Sequence, residues 1–249
     1  MTYLTPQIAC HRGARFTAPE NTDASFDAAL AQGGDVLEFD VRQSRDGVLY
    51  VVHDATVDRT TNGSGEVAHM TSRELDALDA GAWFHPRFEG LRLPRLDAFF
   101  ARYKARAQFY IEVKWADCAE IAKLIRAHDI TAQSYTCSFS EQMHLDMLRH
   151  APKLRQMVHW RREADADLLI EKYNAAIVEF VDGDNAGHDF TLENVRAAQA
   201  AGLRTQVYSE RNDPELFARV RDWGVDCINT DHVAAFNAFR MSQDSQILL

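Results

Sequence analysis

The chain alternates between short apolar runs with a two-residue period and longer stretches with a helical one. Gln7–Cys10 is the first apolar run. Between Asn21 and Gln32, the residues Phe26, Ala29, Leu30 and Gly33 recur at i, i+3, i+4 and i+7, which predicts a helix stopped by Gly33-Gly34. Val36–Val41 reads as a second strand, and Leu49–Val52 as its continuation after a turn at Asp46-Gly47. From residue 95 onward the rhythm is regular. Helices are expected over 95–106, 117–128, 141–150, 163–173, 191–201, 214–222 and 232–240. Strands are expected over 108–113, 134–139, 155–159, 176–180, 204–208 and 225–229. Asp213-Pro214 caps the helix whose apolar stripe is Leu216, Phe217, Val220 and Trp223. The tail from Ser242 is expected to fray.

Eight strand–helix units imply a parallel sheet with right-handed crossovers. Eight units in 249 residues predict a (β/α)8 TIM barrel, with residues 1–249 as one domain. A doubly wound open sheet is the alternative, but no G-x-G-x-x-G follows the first strand. Residues 55–93 break the rhythm. They are rich in Thr, Gly and charge, and carry one short helix behind the capping box Thr71-Ser72-Arg73-Glu74. They read as an insertion after the second strand.

The polar residues collect where such a barrel carries its chemistry, at the C-terminal ends of the strands. These ends hold His11-Arg12, Glu38 and Asp40, His53, Glu112 and Lys114, Ser138, Glu179, Tyr208-Ser209-Glu210 and Asn229-Thr230-Asp231. Residues two apart on a strand share a face, so Glu38 and Asp40 aim at one spot, as do Glu112 and Lys114. Buried acids that face each other repel, and a hard divalent cation is one reason to gather them. A paired Arg or Lys is the other. His11 and His53 suit general acid/base work, and Arg12 and Lys114 suit an anionic group. Each residue also has a plain structural reading. A single strand-end histidine can be a hydrogen-bonded core residue, Glu112 and Lys114 can pair with each other, and Asn21 reads as a helix cap. Gly63-Ser64-Gly65 opens no helix and has no Lys-Ser/Thr behind it, so it reads as a turn rather than a phosphate cradle. The remaining eight histidines, His159 and His188 among them, show no metal-ligand spacing.

Composition narrows the partners. The net charge of -10 argues against nucleic acid and anionic membranes, because the long-range field repels phosphates. Cys10, Cys118, Cys137 and Cys227 are far apart and read as buried thiols, not as a zinc site or disulfide framework. No signal peptide and no integral membrane segment of about 18 apolar residues is visible, so a cytoplasmic protein is expected. A homo-oligomer is left open.

The motifs His11-Arg12-Gly13, Pro19-Glu20-Asn21-Thr22, Glu38-x-Asp40, His53-Asp54, Arg59-Thr60-Thr61-x-Gly63 and Glu112-x-Lys114 occur in this order. With them the chain resembles the glycerophosphodiester phosphodiesterases over nearly its whole length, most densely from 10 to 114. The resemblance implies a barrel whose residues 55–95 form a small inserted subdomain. It implies Glu38, Asp40 and Glu112 as ligands of one divalent cation, Mg2+ or Ca2+ with Mn2+ also suited, and Glu20 as a further ligand or outer acid. It implies His11 and His53 as the acid/base pair, Arg12 and Lys114 as phosphate contacts, and Asn21 and Tyr208 near the substrate. Many relatives carry a tryptophan where Tyr208 stands. The implied reaction is hydrolysis of a small glycerophosphodiester to sn-glycerol 3-phosphate and an alcohol. The rival readings are a phospholipase D or sphingomyelinase-type enzyme, an opine-sugar phosphodiesterase, and a non-catalytic glycerophosphodiester-binding barrel.

Overall fold

A computed structural model describes residues 5–161, 166–183 and 189–247. Its strands are β1 (Gln7–Cys10), β2 (Val36–Gln43), β3 (Leu49–Val51), β4 (Gln108–Trp115), β5 (Ser134–Cys137), β6 (Arg155–His159), β7 (Ala175–Val181), β8 (Arg204–Ser209) and β9 (Cys227–Thr230). The helices are α1 (Asp23–Ala31), α2 (Ser72–Asp76), α3 (Leu96–Tyr103), α4 (Cys118–Ala127), α5 (Glu141–His150), α6 (Ala166–Tyr173), α7 (Leu192–Ala200), α8 (Pro214–Asp222) and α9 (Val233–Ile247). Sheet neighbours run β1-β9-β8-β7-β6-β5-β4-β2, and β1 also pairs with β2. Eight parallel strands therefore close on themselves, and the fold is the expected (β/α)8 barrel.

The strands bury both faces, for two different reasons. The outer face packs under the helices, where Phe26, Phe39, Phe99, Phe100, Tyr103 and Phe109 form an aromatic layer between α1, α3, β2 and β4. The inner face forms a second cluster of Ala9, Val36, Tyr110, Tyr135, Cys137, Met157, Ile177 and Cys227. These residues floor the barrel. One pleat further on, two residues along each strand, come His11, Glu38, Glu112, His159, Glu179 and Asn229. The two-residue alternation thus turns an apolar floor into a polar ring at the C-terminal mouth.

Four expectations change. Residues 49–51 do not continue β2. They fold back antiparallel on it, pairing Val41 with Val51 and Gln43 with Leu49, because the Asp46-Gly47 turn, with Gly47 at φ 87°, closes a hairpin. The first helix is capped by Thr22 in a capping box with Ser25, so Asn21 is free for another task. The last helix does not stop at 240, nor does the tail fray from Ser242. It runs through Ile247, since no Gly or Pro follows to end it. β4 reaches Trp115 rather than 113, so Lys114 lies on the strand. The helix expected over 163–173 is observed as Ala166–Tyr173, and its start lies outside the described residues, as does His188.

Between β3 and α3 the chain leaves the barrel. Val52, Val57, Val67, Leu75, Ala80 and Leu93 pack with Tyr50 in an apolar cluster of their own. The Thr71–Glu74 capping box forms as expected and opens α2. The Gly63-Ser64-Gly65 turn closes on Asp58, which accepts from Ser64 Oγ at 2.6 Å and from Gly65 N at 3.0 Å. Among the described residues, no helix is long and apolar enough to cross a membrane.

The aromatic layer backs the strand that carries Glu38 and Asp40. Phe99→Ala, at a position 1% exposed, is expected to lower the unfolding free energy by about 3–5 kcal/mol. Urea titration measures this; a loss below about 1 kcal/mol would mean that the layer can collapse around the cavity.

Candidate active site

The first turn of the site is strained for a purpose. After β1 the backbone takes left-handed conformations at Arg12 (φ 55°) and Gly13 (φ 83°). A Cβ on Gly13 would lie 2.5 Å from Ser25 Oγ, so glycine alone fits against α1 there. The turn aims Arg12 N at Glu38 Oε2, 2.7 Å away. It also lets the Arg12 guanidinium reach Glu20 Oε1 at 3.0 Å and Asp40 Oδ2 at 3.4 Å. Asn21, itself left-handed at φ 55°, donates from Nδ2 to Asp40 Oδ2 at 2.8 Å.

Strands β2 and β4 pair Glu38 with Tyr110 and Asp40 with Glu112. That register brings one oxygen each of Glu38, Asp40 and Glu112 within 4.8 Å of one another, all buried. Burial pushes the Glu38 carboxyl well above its ordinary value, and Asp40 and Glu112 push it further. Burial and then Asp40 do the same to Glu112. Burial works on Asp40 as well, but Lys114 and then Arg12 outweigh it, so Asp40 is the acid held ionised. Lys114 pairs with Glu112 and lies 3.3 Å from Asp40 Oδ1. Even so, Asp40 Oδ1 and Asn21 Oδ1 are buried acceptors without a hydrogen-bond donor. Three buried carboxylates, one of them with a donor-less oxygen, and the donor-less amide oxygen of Asn21, with no thiol or imidazole among them, fit a hard cation.

The two histidines face this cluster from different elements, and each is held by a carboxylate. His11 Nδ1 lies 2.8 Å from Asp231 Oδ1 at the end of β9, and Arg15 holds the other oxygen at 3.3 Å. The Tyr208 ring packs edge-on against the His11 ring at 4.8 Å. His53 follows the hairpin that runs back along β2; Val52 N donates to Asp40 O at 3.0 Å and Arg42 Nε to His53 O at 2.7 Å. His53 Nδ1 lies 2.6 Å from Asp54 Oδ1. A carboxylate only accepts, so Nδ1 carries the hydrogen in both rings and Nε2 is left for other chemistry. Burial pushes the His53 imidazole below its ordinary value, against the pull of Asp40 and Asp54.

Glu20 stands apart from the acid trio, enclosed by arginines. Arg59 grips it with Nη1 and Nη2, both at 2.8 Å, and grips Asp54 with Nε at 2.6 Å and Nη2 at 3.1 Å. A chain of ion pairs therefore runs from Arg12 through Glu20 and Arg59 to Asp54 and His53. The structure brings together His11, Arg12, Glu20, Asn21, Glu38, Asp40, His53, Glu112, Lys114 and Tyr208 at one end of the barrel. The local sequence pattern does not assign Asp231 and Asp54 as holders of the histidines, or Arg59 as the clamp on Asp54. Asp231 is an acid in the strand-end register, but nothing in its spacing points to His11, 220 residues away.

The family model described as the glycerophosphoryl diester phosphodiesterase family matches residues 11–235. A glycerophosphodiester phosphodiesterase of Bacillus subtilis (strain 168) is 31% identical over 252 residues, which cover 91% of this chain and 84% of that protein. The crystal structure of a glycerophosphodiester phosphodiesterase from Agrobacterium tumefaciens str. C58 is similar with a TM-score of 0.86 at 40% identity, covering 94% of this chain and 99% of that one. An Oleispira antarctica phosphodiesterase, solved with the product sn-glycerol 3-phosphate, shares the fold with a TM-score of 0.84 at 24% identity, over 96% of this chain and 97% of that one.

The Arg59 clamp makes a prediction about pH. Arg59 holds the Asp54 carboxyl below its ordinary value, and against burial Arg59 and Arg12 do the same for Glu20. Carboxyls lowered in the folded state add stability that is complete above their unfolded values, about 4, and is lost as the pH falls through the lowered ones. Arg59→Ala is therefore expected to cost stability at pH 7, and that cost is expected to shrink only in acid below about pH 3, where the clamped carboxyls themselves take up protons, measured by urea midpoints at pH 7 and down the acid range. A loss that stays the same down that range would show that the clamp acts through packing instead.

Proposed function

The chain belongs to the glycerophosphoryl diester phosphodiesterase family, and we propose that it hydrolyses small glycerophosphodiesters to sn-glycerol 3-phosphate and an alcohol, using one divalent cation and two histidines. The observation that carries this reading is the pair of carboxylate-held imidazoles, His11 and His53, facing three buried acids and two cations at one barrel mouth. Glu38, Asp40 and Glu112 would hold the cation, and their oxygens suit Mg2+, Ca2+ and Mn2+ alike. When bound it would offset charge on the phosphoryl oxygens, as a Lewis acid does at a phosphate ester.

The protein's own groups supply the rest. Arg12 and Lys114 hold the phosphate and balance its charge. The glycerol hydroxyl beside the ester is an intramolecular nucleophile with the entropic advantage of proximity. Its oxygen bonds to phosphorus while the bond to the alcohol oxygen breaks. One imidazole Nε2 takes the hydroxyl proton, and the other gives a proton to the departing alcohol. Water then opens the cyclic phosphate with the two roles exchanged, which returns both histidines to their starting states. Asp231 and Asp54 keep Nδ1 protonated throughout, so that Nε2 alone exchanges protons. Residues 55–95 act in this reading as a small subdomain inserted in a single barrel domain. Its own apolar cluster and the Arg59 link to His53 support that role.

Four measurements test the reading. Release of glycerol 3-phosphate from glycerophosphocholine is expected to vanish once metal is stripped with EDTA and to return with Mg2+, Ca2+ or Mn2+. Added metal is also expected to raise the melting temperature of the stripped protein, since a ligand that binds only the folded state stabilises it. Full turnover in excess chelator would rule out the metal. His11→Ala or His53→Ala is expected to lower kcat by about 100- to 10,000-fold with the melting temperature nearly unchanged. Asp231→Ala is expected to lower kcat in the same direction with little change in KM. A normal kcat in either histidine variant removes the acid/base assignment.

A further inference from the structure

The lumen wall opposite the acid trio carries a second polar group, for which the reaction above has no use. Glu179 on β7 is buried, 3% exposed, two residues beyond the floor residue Ile177. Its Oε1 accepts from Gln206 Nε2 at 2.7 Å and from Asn229 Nδ2 at 3.2 Å. Its Oε2 lies 3.4 Å from His159 Nε2. Tyr135 donates to Gln206 Oε1 at 2.7 Å, which fixes the orientation of that amide. The Asn229 amide is fixed as well, because only its nitrogen can donate to Glu179. Asn229 Oδ1 is consequently turned away from Glu179. It has no hydrogen-bond donor although Asn229 is only 3% exposed. A buried carbonyl oxygen left in this state is costly and is retained where something else satisfies it.

Its position says what faces it. Asn229 pairs in register with Ala9 of β1 and Tyr208 of β8. Two residues on, and so on the same face, Asp231 holds His11. Asn229 therefore belongs to the stretch of lumen walled by β1, β8 and β9, one pleat below the aspartate that holds His11. The charge balance says what it would take. Glu179 is already matched by His159 and by two amide donors, so nothing here draws an ammonium group in preference to a neutral donor. Burial works against a charge on His159, but Cys137 and Glu179 hold the imidazole well above its ordinary value. A neutral O–H is the fitting partner.

We propose that Asn229 Oδ1 accepts a hydrogen bond from the terminal hydroxyl of the substrate's glycerol unit, with Glu179 and Gln206 orienting the amide. This assignment rests on the phosphodiesterase reading, in which the neighbouring secondary hydroxyl is occupied as the nucleophile and the terminal one is free. A site built to bond a hydroxyl rejects the analogue that lacks it, because its own polar group is then left unpaired.

The test compares sn-glycero-3-phosphocholine with the propane-1,2-diol phosphocholine in which the terminal CH2OH is CH3. The secondary hydroxyl is kept, so the chemistry is unchanged. The wild type is expected to favour the glycerol substrate by about 10- to 100-fold in kcat/KM, and Asn229→Ala to bring that ratio near one. A wild-type ratio near one, with Oδ1 served by water alone, overturns the proposal. So does an undiminished ratio in the variant. Asn229→Leu, closer in volume, replaces Asn229→Ala if the latter does not fold. A second pair, sn-glycero-3-phosphoethanol and its ethylene glycol counterpart, asks whether the hydroxyl belongs to the departing alcohol. A preference there that Asn229→Ala removes, in place of the first, overturns the assignment to glycerol. Calorimetric binding of sn-glycerol 3-phosphate against propane-1,2-diol 1-phosphate, with Mg2+ present, reads the same ratio without turnover. Loss of all hydrolysis with this binding preference intact would sink the phosphodiesterase reading and leave the hydroxyl subsite standing.

Discussion

Three carboxyl groups buried with their oxygens within 4.8 Å of one another are the constraint around which the barrel mouth is arranged. Desolvation disfavours each charge, and proximity disfavours having more than one. The protein meets this with cations drawn from three places: Arg12 from the turn after β1, Lys114 from β4, and Arg59 from the segment between β3 and α3, which acts through Glu20. The left-handed backbone at Arg12 follows from the same need. Only with that turn does the Arg12 amide point at Glu38 while its side chain spans Glu20 and Asp40. Local strain of this kind persists where surrounding contacts over-determine it. Here Ser25 Oγ donates to Arg12 O at 3.1 Å, and Gly13 lets α1 approach closely enough to do so.

How much of this could be read along the chain depends on whether the cue is local. The spacing Glu38-x-Asp40 and Glu112-x-Lys114 is sufficient to place each pair on one face, and eight apolar runs separated by amphipathic stretches are sufficient for the barrel. Which face points into the lumen is not local. β2 is buried along most of its length on both sides, so Phe39 and Asp40 look alike in burial and differ only in the neighbours that the closed barrel supplies. The hairpin at 44–51 had its cue in Asp46-Gly47, but an apolar run after a turn can extend a sheet or fold back on it, and only the pairing decides. Asp231 shows the limit most plainly. Its partner is 220 residues away, and the closure of β9 onto β1 brings them together.

Closure also explains why the segment between β3 and α3 matters to the site. The hairpin β2–β3 leaves the barrel wall and the chain returns only at α3, so the loop after β3 has no helix of its own to pack against the sheet. Tyr50 solves this by reaching outward, with its hydroxyl donating to Asp76 at 2.7 Å, and it joins the apolar cluster of that segment. His53 thereby sits at the seam between two packed regions. Its carboxylate partner Asp54 is gripped by an arginine that also grips Glu20 beside β1. A change in how that segment packs would be felt first at the orientation of His53, and at His11 last, since that ring is fixed by Asp231 just beyond β9.

The mouth is asymmetric in charge as well. The turn after β1 and strands β2 and β4 contribute Arg12, Glu38, Asp40, Glu112 and Lys114, and every one of them is ionisable. β7, β8 and β9 contribute Glu179, Gln206 and Asn229, where one carboxylate is enclosed by an imidazole and two amides, and Asp231 just beyond β9 is matched by His11 and Arg15. A ring that was ionic throughout would bind any phosphodiester by its phosphate and leave the rest of the substrate unread. Placing directional, neutral hydrogen bonds across the lumen separates two tasks that a single charged cluster cannot perform together. In the proposed reaction the charged wall would fix the phosphate with little regard to what is attached. The opposite wall would then distinguish substrates by whether they carry a hydroxyl where Asn229 holds an open acceptor.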